Sequence, residues 1–345
     1  MGKVLFLCFI EYTFIMKVLR TITGFLLVFS IVFTIFVGRA KIVEGKTVKE
    51  QPHYKGIITL WHLDTFEGGT GSRKQFLLSV ARTFEKANQG VLVMVINHTP
   101  TSIKENFEKG VYPDLISFGS GVDVNGIIPI TPKRRVNGGY VGEKIYATAW
   151  CRGGYTLIAN PKLTDTIPEH LDRLIISQGE FTNPAVALLK DGVSAEELIK
   201  LSPMDAYVKF VGGKEKYLLG TQRDIKRLEN RGIEVITKPM ENFCDLYQYI
   251  GLIDNGGGKK YYAEQFLYYL LSDVVQKRLT EIDMLSPYID NSFDNEHLSA
   301  LQRVNPKYTL SAFISAQNLA EIQELSLDAL NGNAKAKNKI ENMLI

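Results

Sequence analysis

The amino-acid sequence predicts an α/β protein whose sheets are mostly parallel and flanked by helices. Apolar, β-branched runs alternate with segments of helical periodicity, and this alternation occurs in both halves of the chain. At 345 residues, the chain is long enough for about two domains of roughly 150 residues each. With 45% hydrophobic and 22% charged residues, it resembles an ordinary globular protein, which excludes wholesale disorder and fibrous repeats.

The first forty residues concern location rather than chemistry. The run Phe25–Val37 is almost wholly apolar, and Lys17 and Arg20 precede it. A positive segment followed by an apolar one is typical of an export signal. We expect a signal peptide cleaved after Ala40 or, alternatively, an uncleaved membrane anchor, and in both cases an extracellular or periplasmic body.

Three cysteines accompany this export pattern. Cys8 lies in the N-terminal segment, ahead of Met16, which is an alternative start of the protein. Cys151 and Cys244 are too few for a disulfide framework and wrongly spaced for zinc. They predict either one disulfide bridge or two buried free thiols.

The charge balance argues against nucleic-acid binding. Residues 1–40 hold four basic residues and one acidic residue, so the remainder carries 36 of each and is neutral. A protein that binds nucleic acid needs a surplus of positive charge to neutralise phosphates, normally on one face. No nucleic-acid partner is therefore expected.

The first half of the body has a βαβαβ pattern. Strands are predicted at Gly56–Trp61, Val91–Ile96 and Asp114–Gly119, and helices at Arg73–Asn88 and Ser102–Lys109. This order is typical of a parallel sheet covered by helices.

The second half repeats the alternation less regularly. Strands are predicted around Lys144–Trp150, Gly154–Asn160, Lys216–Gly220, Gly232–Thr237 and Leu246–Ile253. Helices are predicted at Pro168–Ile176, Ala195–Leu201, Met204–Val211, Ile225–Gly232, after Gly256–Gly258, and over Thr309–Met343 with a break near Gly332.

The glycine-rich turn after the first strand is the strongest local signal for a binding site. In parallel α/β sheets, ligands bind beyond the carboxyl ends of strands, where helix N-termini carry partial positive charge. The turn offers Gly68, Gly69, Thr70, Gly71, Ser72 and Arg73 as candidate contacts for an oxyanion or a hydroxyl-rich ligand. The alternative is a tight turn whose Ser72 only caps the helix. The spacing matches no P-loop or dinucleotide fingerprint, which disfavours a nucleotide hydrolase.

A second strand–turn–helix repeats this design in the other half, with Gln222, Arg223 and Asp224 in the turn. The two turns would face each other across a cleft if the two halves close together. Arg223 and Asp224 could instead form a surface ion pair of almost no energetic weight. If Arg73 and Arg223 both face the cleft, replacing either should weaken ligand binding without loss of stability, unless Glu67 and Asp224 neutralise them.

Aromatic residues lie near the same strand ends and suit a sugar, whose ring faces stack while its hydroxyl groups form paired hydrogen bonds. They are Trp61, Phe66, Trp150, Tyr155, Phe243, Tyr247 and Tyr249. Packing in the core is the competing interpretation.

Catalysis has little support in the sequence. Five histidines are scattered, and no metal-binding or serine-hydrolase motif occurs. A glycosidase using Asp64 and Glu67 is the enzyme alternative, but such carboxylates usually straddle the scissile bond from different strands. We expect no enzyme activity, no cofactor and no metal.

Five sequence pieces, taken in order, resemble the extracellular solute-binding proteins that feed ABC importers, in particular the family 1-like, sugar-binding type. The resemblance spans about residues 55–290. Its pieces are ITLWH with FLLSVARTFEKAN, PDLISFG, EKIYATAWCRGGYTLIANP, KFVGGKEKYLLGTQRD and AEQFLYYLLSDVVQKRL.

The resemblance implies a two-lobed class II periplasmic-binding-protein fold with ligand held between lobes that close by a hinge motion. The chain would cross near Ala147–Trp150 and return near Tyr249–Asp254. The implied organisation is residues 1–40 as signal or anchor, 41–55 as linker, 56–148 with 252–290 as lobe 1, and 149–251 with 291–345 as lobe 2.

The resemblance also implies the binding partners and the contacts. The partners would be a small polar solute, most simply a mono- or short oligosaccharide, and the importer's membrane permease, with the body a monomer. The GGTGSR turn is more like an anion-binding turn than a sugar-binding loop, so an anionic or phosphorylated small molecule is the alternative ligand. An extracellular sensor module is the alternative role. The implied ligand contacts are Trp61, Asp64, Glu67, Gly69, Arg73, Trp150, Tyr155, Gln222, Arg223 and Asp224, to which the turn analysis adds Thr70 and Ser72.

Overall fold

The computed structural model describes residues 20–34 and 54–345, which belong to two separate units divided after residue 53. Residues 20–34 form helix α1. No helix in these two ranges is long and apolar enough to cross a membrane. The predicted cleavage position at Ala40, the alternative start Met16, Cys8 and most of the predicted linker lie outside the described residues.

The second unit combines strands and helices, and only helices follow its last strand. Its strands are β1 (Gly56–His62), β2 (Val91–Asn97), β3 (Leu115–Phe118), β4 (Ile127–Ile128), β5 (Tyr140–Val141), β6 (Lys144–Ile145), β7 (Ala147–Arg152), β8 (Tyr155–Ala159), β9 (His170–Ser177), β10 (Ser194–Leu201), β11 (Tyr217–Thr221), β12 (Ile236–Pro239) and β13 (Tyr247–Ile253). Its α-helices are α2 (Arg73–Ala87), α3 (Pro100–Glu108), α4 (Pro184–Asp191), α5 (Pro203–Val211), α6 (Gln222–Glu229), α7 (Gly257–Leu270), α8 (Asp273–Lys277), α9 (Glu296–Arg303), α10 (Ala316–Leu330) and α11 (Ala334–Glu341). Short 3₁₀ helices occupy Asn137–Gly139 and Arg278–Ile282.

The first lobe is built on a six-stranded sheet in the order β2–β1–β3–β13–β4, with β7 also paired to β13. Strand β1 runs parallel to β2 and β3. Strand β13 runs antiparallel to β3, β4 and β7. The parallel block is the predicted βαβαβ unit.

The second lobe has a five-stranded sheet in the order β10–β9–β11–β8–β12. Strand β9 is parallel to both β10 and β11, whereas β8 is antiparallel to β11 and β12. The predicted fold class, two α/β lobes of helix-flanked sheets, is confirmed. Each sheet differs from the mostly parallel expectation because strands next to the lobe crossing run against its parallel block.

Two predicted helices are strands in the structure. The segments expected to be helical at Pro168–Ile176 and Ala195–Leu201 form β9 and the sheet-edge strand β10. Their apolar residues fit a helical period, but β9 is hydrogen-bonded to a strand on each side, and this pairing overrides local propensity. The true helix of this region, α4, was not predicted.

The lobes are joined where the chain passes from β7 through Gly153 and Gly154 into β8. It returns through Leu246 into β13. Arg152 makes a third link, since its backbone exchanges hydrogen bonds of 2.9 and 3.0 Å with Leu285. The lobe boundaries given above stay a prediction.

Helix packing follows the sequence periodicity. The buried face of α2 consists of Phe76, Leu77, Val80, Ala81 and Phe84, which recur at helical spacing, together with Arg73. Helix α7 likewise buries Ala263, Phe266, Leu267 and Leu270. Leu271 and Val275 beyond the end of α7 are also buried, whereas Val274 on α8 is exposed.

Cys151 and Cys244 are buried free thiols, which settles the alternative left open by the sequence. Burial raises the pKa of the Cys244 thiol to about 12 and that of Cys151 still further above its ordinary value.

Candidate functional site

A cleft of about 520 Å³ lies between the two lobes, within the usual range for a small-molecule site. The first lobe contributes the loop that follows β1 and the start of α2. The second contributes the ends of β9 and β11 and the turns after them. The lining residues are Asp64, Thr65, Phe66, Glu67, Gly68, Gly71, Ser72, Arg73, Tyr155, Ser177, Gly179, Glu180, Phe181, Thr182, Pro203, Thr221, Arg223, Asp224 and Leu246.

Several helix N-termini open onto this cleft. Helix α2 begins at its lining residue Arg73, α5 at Pro203, and α6 one residue after Thr221. Ser72 is the N-cap of α2, accepting a hydrogen bond of 3.3 Å from Gln75 N. The partial positive charge of these helix ends favours oxygen-rich ligands.

Arg73 and Asp64 form a fixed ion pair on the first-lobe side. The Nε atom of Arg73 donates to Oδ1 of Asp64 at 2.6 Å, and one Nη donates to the carbonyl of Phe66. The guanidinium also lies over the Phe66 ring, 4.2 Å from its centroid. Arg73 is 4% exposed, and its other Nη is buried without a hydrogen-bond partner in the described chain.

A hydrogen bond with His62, which is fully buried, positions Asp64. Ser117 Oγ accepts hydrogen bonds from Trp150 Nε1 at 2.9 Å and Gln248 Nε2 at 3.1 Å. The Ser117 hydroxyl therefore donates its hydrogen bond to His62 Nδ1, 3.0 Å away. Because Nδ1 accepts, Nε2 carries the imidazole proton, and it donates to Asp64 Oδ1 at 3.1 Å.

These contacts determine the protonation states of His62 and Asp64. Burial lowers the pKa of His62, so the imidazole is neutral near pH 7. Burial alone would raise the pKa of Asp64, but the hydrogen bond from His62 and the charge of Arg73 prevail and lower it well below its usual range. Asp64 is ionised, and its side chain keeps 46% of its surface exposed toward a ligand.

Glu67 crosses the cleft to the second lobe. Its Oε2 lies 3.5 Å from Nε of Arg223 and 3.6 Å from one Nη of Arg227, both on α6. The sequence left open that Glu67 neutralises one of the turn arginines, and its partners are both on the opposite lobe.

Asp224 has a structural partner. Its Oδ2 accepts a hydrogen bond of 2.9 Å from the backbone N–H of Thr221, which completes a capping box at the start of α6. Burial raises its pKa to about 6. Asp224 therefore lines the cleft mainly as part of the helix cap.

Tyr155 is anchored in a buried network at the back of the cleft. Its hydroxyl donates to Asp245 Oδ1 at 2.7 Å and accepts from the backbone N–H of Asn183 at 3.1 Å. Asn183 Nδ2 donates to the other carboxylate oxygen at 2.8 Å. Burial raises the pKa of Asp245 to about 6.

Two predicted stacking residues do not line the cleft. Trp61 is 5% exposed and packs on His98 and Phe107, with ring centroids 4.4 and 5.7 Å away. Trp150 is fully buried and stacks on Phe76 at 5.9 Å. Both tryptophans lie on strands whose neighbours cover them, so they act as core residues.

Three other predicted contacts serve the turns rather than the cavity. Gly69 has a φ of 68°, and a side chain there would collide with the carbonyl of Ile282. Thr70 donates to the carboxylate of Asp283. Gln222 is fully buried, and its Oε1 accepts from the backbone N–H of Gly154 at 3.0 Å.

The segment between β9 and α4 is the part of the cleft that sequence reasoning missed. Gly179, Glu180, Phe181 and Thr182 all line the cavity. The glycine and the Asn183–Pro184 pair mark a turn and a helix start, but the misassigned helix over β9 obscured them.

Each cleft arginine contacts a carboxylate: Arg73 binds Asp64, and Arg223 lies near Glu67. A carboxylate beside a guanidinium can accept a hydrogen bond from a sugar hydroxyl, while the arginine donates one to the same or an adjacent hydroxyl oxygen. The rings of Phe66 and Phe181 lie beside these polar groups. No group of three or more His, Cys, Asp or Glu side chains within residues 20–34 and 54–345 could hold a metal ion.

The fold matches that of solved structures. The GacH receptor of Streptomyces glaucescens, whose structures include complexes with acarbose, matches with a TM-score of 0.58 at 14% identity, over 82% of this chain and 95% of that one. The chain has the two-lobed class II periplasmic-binding-protein fold. No protein-family model matches the sequence, and no curated protein is similar to it at the sequence level.

Other proteins with this class II fold differ in what they bind. A cyclic alpha-maltosyl-1,6-maltose binding protein from Arthrobacter globiformis matches with a TM-score of 0.56 at 12% identity, over 84% and 97% of the two chains. Iron-bound HitA from Pseudomonas aeruginosa matches with a TM-score of 0.54 at 14% identity, over 78% and 99%. The likeness therefore establishes the fold, and the ligand must be argued from the cleft.

Proposed function

We propose that this protein is an exported substrate-binding protein that captures a mono- or short oligosaccharide between its lobes and delivers it to the permease of an ABC importer. The observation that carries the proposal is the inter-lobe cleft, where the fixed Asp64–Arg73 pair faces the α6 turn of the other lobe. The protein binds its solute as a monomer and does not transform it.

The charge arrangement favours a neutral, hydroxyl-rich ligand. Four carboxylates line the cleft against two arginines, and both arginines lie against carboxylates. A fully anionic ligand would have to compete with Asp64 and Glu67 for these cations. Sugar hydroxyls, which both donate and accept, match the paired groups without displacing either one.

An anionic or phosphorylated small molecule is the second candidate. Two observations favour it: the helix N-termini that open onto the cleft, and the Nη of Arg73 that is buried without a partner among the described residues. Such a ligand would bind against the start of α2, where Arg73 and the helix dipole act together.

A thermal-shift screen of the full-length protein tests the proposal, with neutral saccharides in one panel and phosphorylated or carboxylated compounds in the other. A ligand at 100 times its Kd should stabilise the fold by about 2.7 kcal/mol. Stabilisation by saccharides alone supports the sugar assignment. Stabilisation by the anionic panel alone, if Arg223→Gln abolishes it, assigns the cleft to the second candidate.

A pair of matched variants locates the binding. Asp64→Asn should abolish the saccharide shift, whereas Asp172→Asn, which removes a carboxylate of β9 paired with Lys216 away from the cleft, should preserve it. Product formation that Asp64→Asn or Glu67→Gln abolishes would contradict a binding role and establish a glycosidase.

A further inference from the structure

A second cavity, of about 660 Å³, lies on the other side of the strands that join the lobes. Arg152 and Tyr247, which pair across β7 and β13, line it. Leu246 lines the cleft, whereas the next residue, Tyr247, lines this cavity. The linings of the two cavities share no residue, so the cavities are separate. We call this one the back cavity.

The back cavity is strongly basic. Arg135, Arg152, Arg303 and Lys307 line it, and Asp290 is its one acidic lining residue among the described residues. Arg135, Arg303 and Lys307 are exposed, and none of them forms an ion pair with another residue of the range 54–345. The cleft arginines, in contrast, lie against carboxylates.

Arg152 adds a fixed, buried positive charge to the wall. It is 3% exposed, and one Nη donates to the carbonyls of Leu301, Gln302 and Val304 at the end of α9, at 3.2, 2.9 and 2.7 Å. No carboxylate within the described chain is paired with it. Its charge is therefore balanced by carbonyls at the C-terminal end of α9 and not by a carboxylate, so this wall of the cavity keeps a net positive charge.

The two sides of the back cavity belong to different lobes. Arg135 follows Arg134, whose carbonyl accepts a hydrogen bond of 3.0 Å from Thr148 on β7 of the first sheet. Arg303 ends α9, which packs on α6 and β12 of the second lobe. A multivalent anion between these cations would contact both lobes.

We propose that the back cavity is a second binding site, selective for a small anion with two or more negative charges, such as a phosphorylated compound. Arg303, Lys307 and Arg135 supply the exposed cations, and Arg152 supplies the buried one. Tyr247, whose hydroxyl forms no hydrogen bond with any residue from 54 to 345, supplies a further donor. The site differs from the cleft because its cations are not paired with carboxylates of the described chain, so an anion has none to displace.

Isothermal calorimetry of the full-length protein with pyrophosphate tests this site. We expect saturable binding that weakens as salt is raised, since the contacts are between charges near the surface. Arg303→Gln and Lys307→Gln should each weaken pyrophosphate binding by about tenfold, and the double variant further. Both residues are exposed, so the variants should fold as the parent does.

The control is Lys214→Gln, which removes an exposed lysine that lines neither cavity and should leave pyrophosphate binding unchanged. Equal weakening in this control would mean that pyrophosphate responds only to net charge, which overturns the proposal. The absence of saturable binding also overturns it. So does binding that Arg223→Gln abolishes while the Arg303 and Lys307 variants retain it, because pyrophosphate would then occupy the cleft.

Discussion

Glu67 and Arg223 lie 3.5 Å apart across the cleft and join the loop after β1 to helix α6 of the other lobe. Their side chains are 42% and 32% exposed, so water screens the pair, and its contribution to stability is at most about 1 kcal/mol. The pair is important for its position, because it places a carboxylate and a guanidinium in the lining of the cleft.

We therefore expect Glu67→Gln to leave the free energy of unfolding within about 1 kcal/mol of the parent while weakening solute binding by about tenfold. Urea denaturation and calorimetry measure the two effects. A variant with intact binding and a much lower midpoint would make Glu67 a structural residue.

Arg73→Lys should lower both stability and affinity. The sequence alone suggested that losing Arg73 would not affect stability, but the side chain is buried and bound to Asp64 and the Phe66 carbonyl. Lysine keeps the charge but cannot make both bonds, so we expect a loss of about 1–3 kcal/mol in unfolding free energy.

For the more exposed Arg223, we expect Arg223→Ala to weaken binding with little change in stability. Circular dichroism melts of Arg73→Lys and Arg223→Ala compare the two effects on stability.

Trp61→Ala should destabilise the fold rather than act on the ligand. The ring is buried against His98 and Phe107, and truncating a core tryptophan typically costs about 3–5 kcal/mol. Trp61→Phe, which keeps most of the packing, should bind solute normally. If that variant folds like the parent but loses solute binding, Trp61 contacts the ligand after all.

Asp224 predicts a measurable pH dependence of stability. Its pKa is about 6 in the folded protein, above the value of 3.8 for the free side chain, so the folded state holds the proton more tightly. The stability that this adds is fully present below pH 3.8 and is lost as the pH rises through 6. Between pH 5 and 7, the loss should be about 1 kcal/mol.

Asp224→Asn keeps an acceptor for the backbone N–H of Thr221 and removes the titration. We therefore expect the unfolding free energy of the variant, minus that of the parent, to be about 1 kcal/mol higher at pH 7 than at pH 5. Thermal melts in matched buffers measure this difference. The same difference at both pH values would show that Asp224 does not titrate in this window. Asp245, with a pKa also raised by burial to about 6, contributes equally to parent and variant.

Local sequence patterns predicted the α/β alternation and the two turns that line the inter-lobe cleft. The βαβαβ order, the buried face of α2 and the two facing strand–turn–helix segments all follow from periods and turn residues a few positions apart. The pattern failed at β9 and β10, where apolar spacing fitted a helix while pairing with distant strands decided for a sheet.

Interactions between near neighbours in the chain are enough to specify an α/β protein with polar turns at the carboxyl ends of strands in both halves. Which side chains reach the cleft depends instead on tertiary packing. Trp61 and Phe66 are both aromatic and five positions apart, yet Trp61 packs against Phe107 of α3, and Phe66 lines the cavity beneath Arg73. Their different environments come from segments remote in sequence, and burial is a property of that packing, which no local pattern encodes.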